Sequence, residues 1–543
     1  LSDPPPGARL PATPPKEDAT MAWTPPPHVS QHWQVTKPGA TGRRGMVASQ
    51  ARDAAEAGIH ILDAGGTAAD AAVATAFALA VVEPWNSGLG GIGFTQVAGP
   101  GMAPQTFDFG PVSPHALDPA AFPMTGRMKA DLFTWPEVFE DRNVHGPLSF
   151  AIPSSVAGYA ELHARHGRLP LAVVMEPAIA LARRGLAQDW FTTLKVANSA
   201  AVLRLYDESA RIYLPGGLPP VAPYQGSPGF FRQGRLAETL ERLASAGLRD
   251  FYEGGVASEL LADFREMGSP INAADLAGCK TIVKPALEAA WRGRTLYLAN
   301  GLTAAPTLLR VLDGMRDADF STAAPSSAWY AQLARVLRQA YAERLAGLGD
   351  AEPKAAESCT THLTVCDKDG MMVAMTTTLL SSMGSRVVLP RSGVLMNNGI
   401  MWFDPRPEAK NAIAPGKRPL TNMCPVIAAE GGTPVIATGA SGGRRIMASV
   451  FQMLSYVADF GMTPEQAAHH PRLDVSGPEG VTADLRLGAE TLAALAADDE
   501  VTEVEHAVLP VNFACPNLIR IAADGTRSGI TDALSPWSAA LAQ

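Results

Sequence analysis

Two extended runs rich in Thr, Val and Met, residues 360–366 and 371–380, flank Asp367-Lys368-Asp369-Gly370. This pattern predicts a β-hairpin closed by a three-residue loop, with Gly370 taking positive φ at its end. With the turn centred on Asp369, Cys366 faces Met372, Thr364 faces Ala374, His362 faces Thr376 and Thr360 faces Thr378. Opposed Cβ atoms in an antiparallel pair lie roughly 5 Å apart, so two threonine hydroxyls meet at the open end. From this stretch alone there are two readings. One is a site for hydroxyl chemistry; the other is a Thr-rich surface hairpin, because β-branched residues are common in strands.

Upstream, residues 45–49 read as a short strand and 51–64 as a helix that Gly65-Gly66 ends. The Ala-rich run 67–82 reads as a tightly packed helix, ended by Glu83-Pro84, and 94–97 as a strand. Helices follow residue 158 up to 205, and a helical middle region continues to Met267. A short helix opens at Asn272, a strand covers 291–298, a helix runs near 307–315, and 326–347 shows helical apolar spacing. After the hairpin come strands at 425–428 and 433–438, a helix from Arg444 to Phe460, and a final strand–turn–strand about Asp524-Gly525. Repeated strands with long helices predict a layered α/β/α architecture.

Composition narrows the class. The 543 residues are 47% hydrophobic and 18% charged, as in globular proteins. A net charge of −9 argues against a general nucleic-acid binder. No run approaches ~20 uninterrupted apolar residues, so no membrane span is expected. Residues 1–38 are Pro-rich and polar and read as a tail or wrapping arm. The first residues lack the basic and apolar regions of a secretory signal, which makes the cytoplasm the default expectation. A chain beginning at Leu1 reads either as a piece of a longer one or as one whose natural start is Met21.

The five cysteines, Cys279, Cys359, Cys366, Cys424 and Cys515, are widely spaced and imply neither a disulfide framework nor a zinc site. His469-His470 reads as structural, since helix neighbours face different directions; no metal is expected. Gly88–Gly93 matches G-x-G-x-x-G by letter, but a helix precedes it and a strand follows, the reverse of a dinucleotide fingerprint. The glycines are read instead as allowing close backbone approach, and no cofactor is expected. Gly439-Ala440-Ser441-Gly442-Gly443 leads into a helix, where free N–H groups suit an anion or oxyanion. The polar stretch 349–358, just before Thr360, is a place where chain cleavage is tolerated.

Four segments together resemble the γ-glutamyltranspeptidase family of N-terminal nucleophile hydrolases. They are Gly65-Gly66-Thr67-Ala68-Ala69-Asp70-Ala71-Ala72-Val73-Ala74 with the glycines to Gly93; Thr360-Thr361-His362 through Gly370; Gly416-Lys417-Arg418-Pro419-Leu420; and Thr438 through Gly443. The resemblance implies a four-layer αββα fold and a precursor that cuts itself between Cys359 and Thr360. It implies a large piece over residues 39–359 behind the tail, and a small piece over 360–543 carrying Thr360 as nucleophile. The freed α-amine serves as general base for its own hydroxyl, since such amines titrate near ~7.7–8.0. By the same resemblance Thr378 positions the nucleophile, and Gly442 and Gly443 form the oxyanion hole. The partners implied are a small-molecule amide and the other piece of the same chain.

The family's grip on a glutamyl zwitterion is where the sequence departs. Gly110 falls at the carboxylate-binding arginine, Leu380 at an amine-side asparagine, and Gly399 and Trp402 at amide and carboxylate positions. Thr421 and Asn422 replace a serine pair and still donate hydrogen bonds. Either Arg386, Arg391 or Arg406 takes over the carboxylate, or the pocket has changed to accept an uncharged or mono-acid acyl group, as in the family's cephalosporin-acylase-like members. A different class of function, an unprocessed relative acting as a binding protein, stands beside these readings.

Overall fold

A computed structural model describes residues 35–128, 135–348, 359–477, 480–533 and 535–543. The expected tail up to residue 34 and the cleavage-tolerant stretch 349–358 lie outside them. Lys37–Gln543 pack together as one unit.

Among the described residues, two seven-stranded sheets are antiparallel throughout. The first runs Ala539–Ala542, Met46–Ser49, Cys359–Cys366, Met372–Leu380, Ile92–Ala98, Gln105–Phe109 and Ile282–Pro285. The second runs Ala40–Gly42, Arg527–Thr531, Cys515–Ile521, Thr433–Ser441, Val426–Glu430, Arg294–Leu298 and Leu287–Trp291. Alternation along the strands decides what each face buries. Val47, Leu363, Val365, Val373 and Met375 face helices on one side. Met46, Ala48, Cys366, Met372 and Ala374 meet Tyr297, Ile427, Ala437 and Ile519 of the second sheet. The far face of that sheet, with Leu296, Val426, Ala428 and Leu518, packs on the helices Ser327–Leu348 and Ile446–Ala458. The chain is therefore a four-layer αββα sandwich.

Most boundaries follow local chemistry. The helix Ala68–Val82 begins at a capping box, Thr67 accepting from the Asp70 N–H while the Asp70 carboxylate accepts from that of Thr67. It is buried on all sides up to Val81, as its unbroken run of small residues demands. Asp367 at the hairpin tip accepts from the N–H groups of Ala68, Asp369 and Met371, so one carboxylate shapes the turn and docks it on that helix. Two expectations about elements are corrected here. The single strand over 291–298 is a hairpin, Leu287–Trp291 and Arg294–Leu298, turning at Arg292-Gly293. The helix expected from Arg444 starts with a 3-10 turn, Gly443–Arg445, and becomes α-helical at Ile446. The strands Gln105–Phe109 and Ile282–Pro285 were not read from the sequence; the latter is an edge strand, where its proline is tolerated.

Between the sheets a polar seam interrupts the apolar interior. His362, fully buried, shares a hydrogen bond with Thr376 at 2.9 Å, and its ring lies against Gly439, where any Cβ would collide with it. Asn517 donates to the His362 carbonyl at 2.6 Å and accepts from Thr364. Burial lowers the His362 pKa to about 3 from an ordinary 6.5. The unfolded chain then takes up a proton that the folded one refuses. This contribution to stability is complete above pH ~6.5 and is lost as pH falls toward ~3. We expect the urea midpoint to decline between pH 7 and 5, with a shallower decline in His362→Asn.

Candidate active site

The hairpin register holds from Cys366–Met372 to Thr361–Thr377, then shifts, because Cys359 pairs with Leu380. A bulge therefore falls on the Met372–Leu380 arm opposite Thr360, and Thr360 has no ladder partner where direct pairing with Thr378 was expected. The two hydroxyls still meet: Thr360 Oγ1 donates to Thr378 Oγ1 at 3.2 Å, both buried. Thr378 also accepts from the Leu380 N–H at 2.8 Å. Leu380 takes φ of 87°, a left-handed conformation costing a leucine about 1–3 kcal/mol. The glycines before the sheet serve close approach: a Cβ on Gly91 would lie 2.7 Å from the Thr378 carbonyl oxygen. Asn397 and Asn398 fix the chain beyond, Asn397 donating to the carbonyls of Gly90 and Ala151 and Asn398 accepting from the Ser381 N–H.

In the second sheet, Thr433–Ser441 ends at Gly442 (φ 134°) and Gly443 (φ 61°). Gln50 ties this corner to the hairpin by donating to Ser441 Oγ at 2.5 Å and accepting from the His362 N–H at 3.1 Å. The junction of strand, 3-10 turn and helix thus faces the start of the threonine strand across the sandwich.

Beside Thr378, whose ladder neighbour is Ile92, lies an apolar cluster of Ile92, Phe94, Trp135, Leu380, Met401, Trp402 and Met423. Leu380 and Trp402, expected at the pocket, are both in it. Gly110 stands next to the cluster: a Cβ there would lie 2.6 Å from the Phe94 ring, so the aromatic occupies the space that a side chain at residue 110 needs. Thr421 donates its hydroxyl to the Leu302 carbonyl and is fully buried, while Asn422 is half-buried. Beneath both, Arg344 donates to the Thr421 carbonyl at 2.6 Å and to Asn422 Oδ1 at 3.2 Å. Its other partners are Thr303 and Thr307, so this buried guanidinium faces no carboxylate among the described residues. Burial pulls its pKa down to about 10. Of the alternative arginines, Arg391 binds Asp263 and Glu266, Arg406 binds Asp404, and Arg386 donates to the Gly384 carbonyl at 2.7 Å. The Asp108 carboxylate, near Gly110, binds both Lys284 and Arg418.

Sequence reasoning passed over Phe94, Arg344, Gln50 and Glu83. Of these only Glu83 left a signal, a carboxylate directly after the apolar run Ala76–Val82.

The chain matches the family model described as gamma-glutamyltranspeptidase over residues 54–358 and 352–533. It belongs to that family. Among the members it resembles, the glutathione hydrolase proenzyme of Pseudomonas aeruginosa is 32% identical over 80% of this chain and 83% of its own length. The acylase ACY 1 proenzyme of Pseudomonas sp. (strain V22) is 31% identical over 83% of this chain and 86% of its own. The crystal structure of cephalosporin acylase from Bacillus halodurans superposes with a TM-score of 0.82 at 23% identity, covering 96% of this chain and 99% of that one, which shows the shared fold. As a member of the family the chain is an amide hydrolase or acyltransferase of the N-terminal nucleophile type. No helix among the described residues is long and apolar enough to cross a membrane.

Proposed function

We propose that the chain cuts itself between Cys359 and Thr360 into pieces 39–359 (behind the tail) and 360–543, and that Thr360 then carries acyl transfer. In the precursor, Thr360 Oγ attacks the Cys359 carbonyl; the C–N bond breaks as the ester forms, which frees the α-amine, and water then hydrolyses the ester to release the Cys359 carboxylate and the Thr360 hydroxyl. In the mature protein that amine removes the hydroxyl proton as Oγ attacks a substrate amide, and returns it to the leaving amine. Water or another amine resolves the acyl-Thr360 ester. Thr378 accepts from and orients the nucleophile, and the N–H groups of Gly442 and Gly443 receive the oxyanion. The contact of the two buried hydroxyls at the bulge supports this reading most directly.

For the acyl group we favour a mono-acid or uncharged chain over a γ-glutamyl zwitterion, and the apolar cluster carries that choice. Burying a side chain of Leu or Phe size contributes roughly 1.5–3 kcal/mol, whereas an unpaired ammonium placed against Leu380, Trp402 and Phe94 costs several kcal/mol. A carboxylate fares better. Arg344 holds Asn422 Oδ1, which leaves the amide N–H groups of Asn422 as donors beside a cation with no acidic partner among the described residues. The γ-glutamyl reading keeps support from the glutathione hydrolase relatives. Hydrolysis of glutaryl and γ-glutamyl anilides decides between them: kcat/KM for the glutaryl compound should equal or exceed that for the γ-glutamyl one, and a strong γ-glutamyl preference would sink the altered pocket. A wild-type chain that stays whole on a denaturing gel would instead favour a non-catalytic binding protein.

A further inference from the structure

Glu83 has no part in the chemistry above, yet its carboxyl sits against the threonine strand. It follows the helix Ala68–Val82 and is 3% exposed. Glu83 Oε2 accepts from the Thr361 hydroxyl at 2.8 Å, and Oε1 from the Asn86 amide at 2.7 Å. The Asn86 carbonyl in turn accepts from the Leu379 N–H at 2.9 Å, and that of Trp85 from the Met383 N–H at 3.1 Å. Thr361 is the last paired residue before the register shift, and Leu379 lies in the bulge on the opposite arm. The segment 83–86 therefore grips both arms at the bulge that brings Thr378 to Thr360.

Each carboxyl oxygen meets one donor, a pair of contacts that an amide with its single oxygen could not match, so Glu83 is fitted to its place as an acid. Burial, opposed by the Thr361 and Asn86 donors and by the charge of Lys195 from the helix Trp190–Leu203, raises its pKa to about 7. Cleavage before Thr360 releases a second titratable group, the α-amine, on the residue next to Thr361. Glu83 reaches the neighbouring residue through its hydrogen bond with Thr361, and groups that interact titrate as a pair.

We propose that Glu83 is a positioning residue that acts through Thr361, fixing the bulge and setting the basicity of the Thr360 α-amine. This deepens the reading of Thr360 as nucleophile and rests on it. The sign follows from electrostatics: an ionised Glu83 favours the ammonium and raises the amine pKa, so the base becomes available only at higher pH.

The test is the pH profile of kcat/KM in Glu83→Gln, with Thr361→Val as the second variant. Gln keeps an oxygen to accept from Thr361 but cannot ionise, so its acidic limb should move down by about 0.5–1 pH unit while the plateau stays within about threefold. Thr361→Val breaks the link from the other side and should move the limb the same way. A merely structural role would lower kcat at every pH and leave the limb in place. A limb that is unmoved or raised in Glu83→Gln overturns the proposal. So does an unmoved limb in Thr361→Val if Glu83→Gln fails to cut. An uncut wild type would remove the nucleophile reading itself, whereas a cut wild type with an immobile limb removes this inference alone.

Discussion

Thr360→Ala should run as one uncut chain on a denaturing gel and hydrolyse amides on the order of 10³-fold or more slower than wild type. The variant removes the atom proposed to attack the Cys359 carbonyl and, later, the substrate. It also removes the donor at 3.2 Å from Thr378, whose acceptor role for the Leu380 N–H survives. The fold should be untouched, because Thr360 stands outside the ladder at the bulge. Thr360→Ser restores the hydroxyl and should restore the cut. Thr378→Val leaves the Thr360 hydroxyl and the Leu380 N–H without their acceptor, at about 1–3 kcal/mol for each buried group, and should slow turnover roughly 10- to 100-fold. If Thr360→Ala protein still cuts and turns over, the nucleophile lies elsewhere.

Gly442→Ala should lower kcat by about 10²–10³ with a smaller change in KM. At φ of 134° an alanine is strained, and its Cβ would lie 2.7 Å from Cα of Ala514 and 2.8 Å from its Cβ. The nearest of these atoms is backbone, so the clash cannot be relieved by a rotamer change. The loop must move instead, carrying the N–H groups of Gly442 and Gly443 with it. An oxyanion donor displaced by a fraction of an ångström keeps little of its advantage, because its strength comes from being aimed in advance. Substrate binding, if centred on the apolar cluster as proposed, is left alone. An alanine variant with wild-type kcat and an unchanged circular dichroism spectrum would place the oxyanion hole elsewhere.

The sequence shows some of this site plainly, where the chemistry is local. Asp367-Lys368-Asp369-Gly370 announces its turn because a side-chain carboxylate, two backbone N–H groups and a positive-φ glycine all lie within five residues. Thr67 and Asp70 announce a helix start for the same reason. The register shift at Thr360 is hidden, because what sustains it is the Asn86 carbonyl, which captures the Leu379 N–H from a segment far upstream. The pocket is legible only as subtraction. Gly110, Leu380 and Trp402 read as polar contacts removed, but Phe94, which fills the space at Gly110, looks like any aromatic in a strand. Arg344 looks like one more cation on a long helix, since nothing in its neighbours along the chain reveals that it points under Asn422.

The strand order of the first sheet bears on what a cut would do. Cys359–Cys366 lies between Met46–Ser49 and its hairpin partner, the partner lies against Ile92–Ala98, and Ala539–Ala542 lies outside Met46–Ser49. Going across the sheet, one strand of the upstream product would sit between two parts of the downstream one, and the hairpin would be flanked on both sides by upstream strands. Neither product then has its strands all side by side, and pulling them apart means tearing ladder hydrogen bonds along both sides of the hairpin. Losing the covalent link would cost the folded molecule little, but the link would matter greatly to a chain that has yet to fold. Strand interleaving of this kind has a built-in order of events, in which assembly comes first, scission second, and reassembly from separated pieces has no easy route.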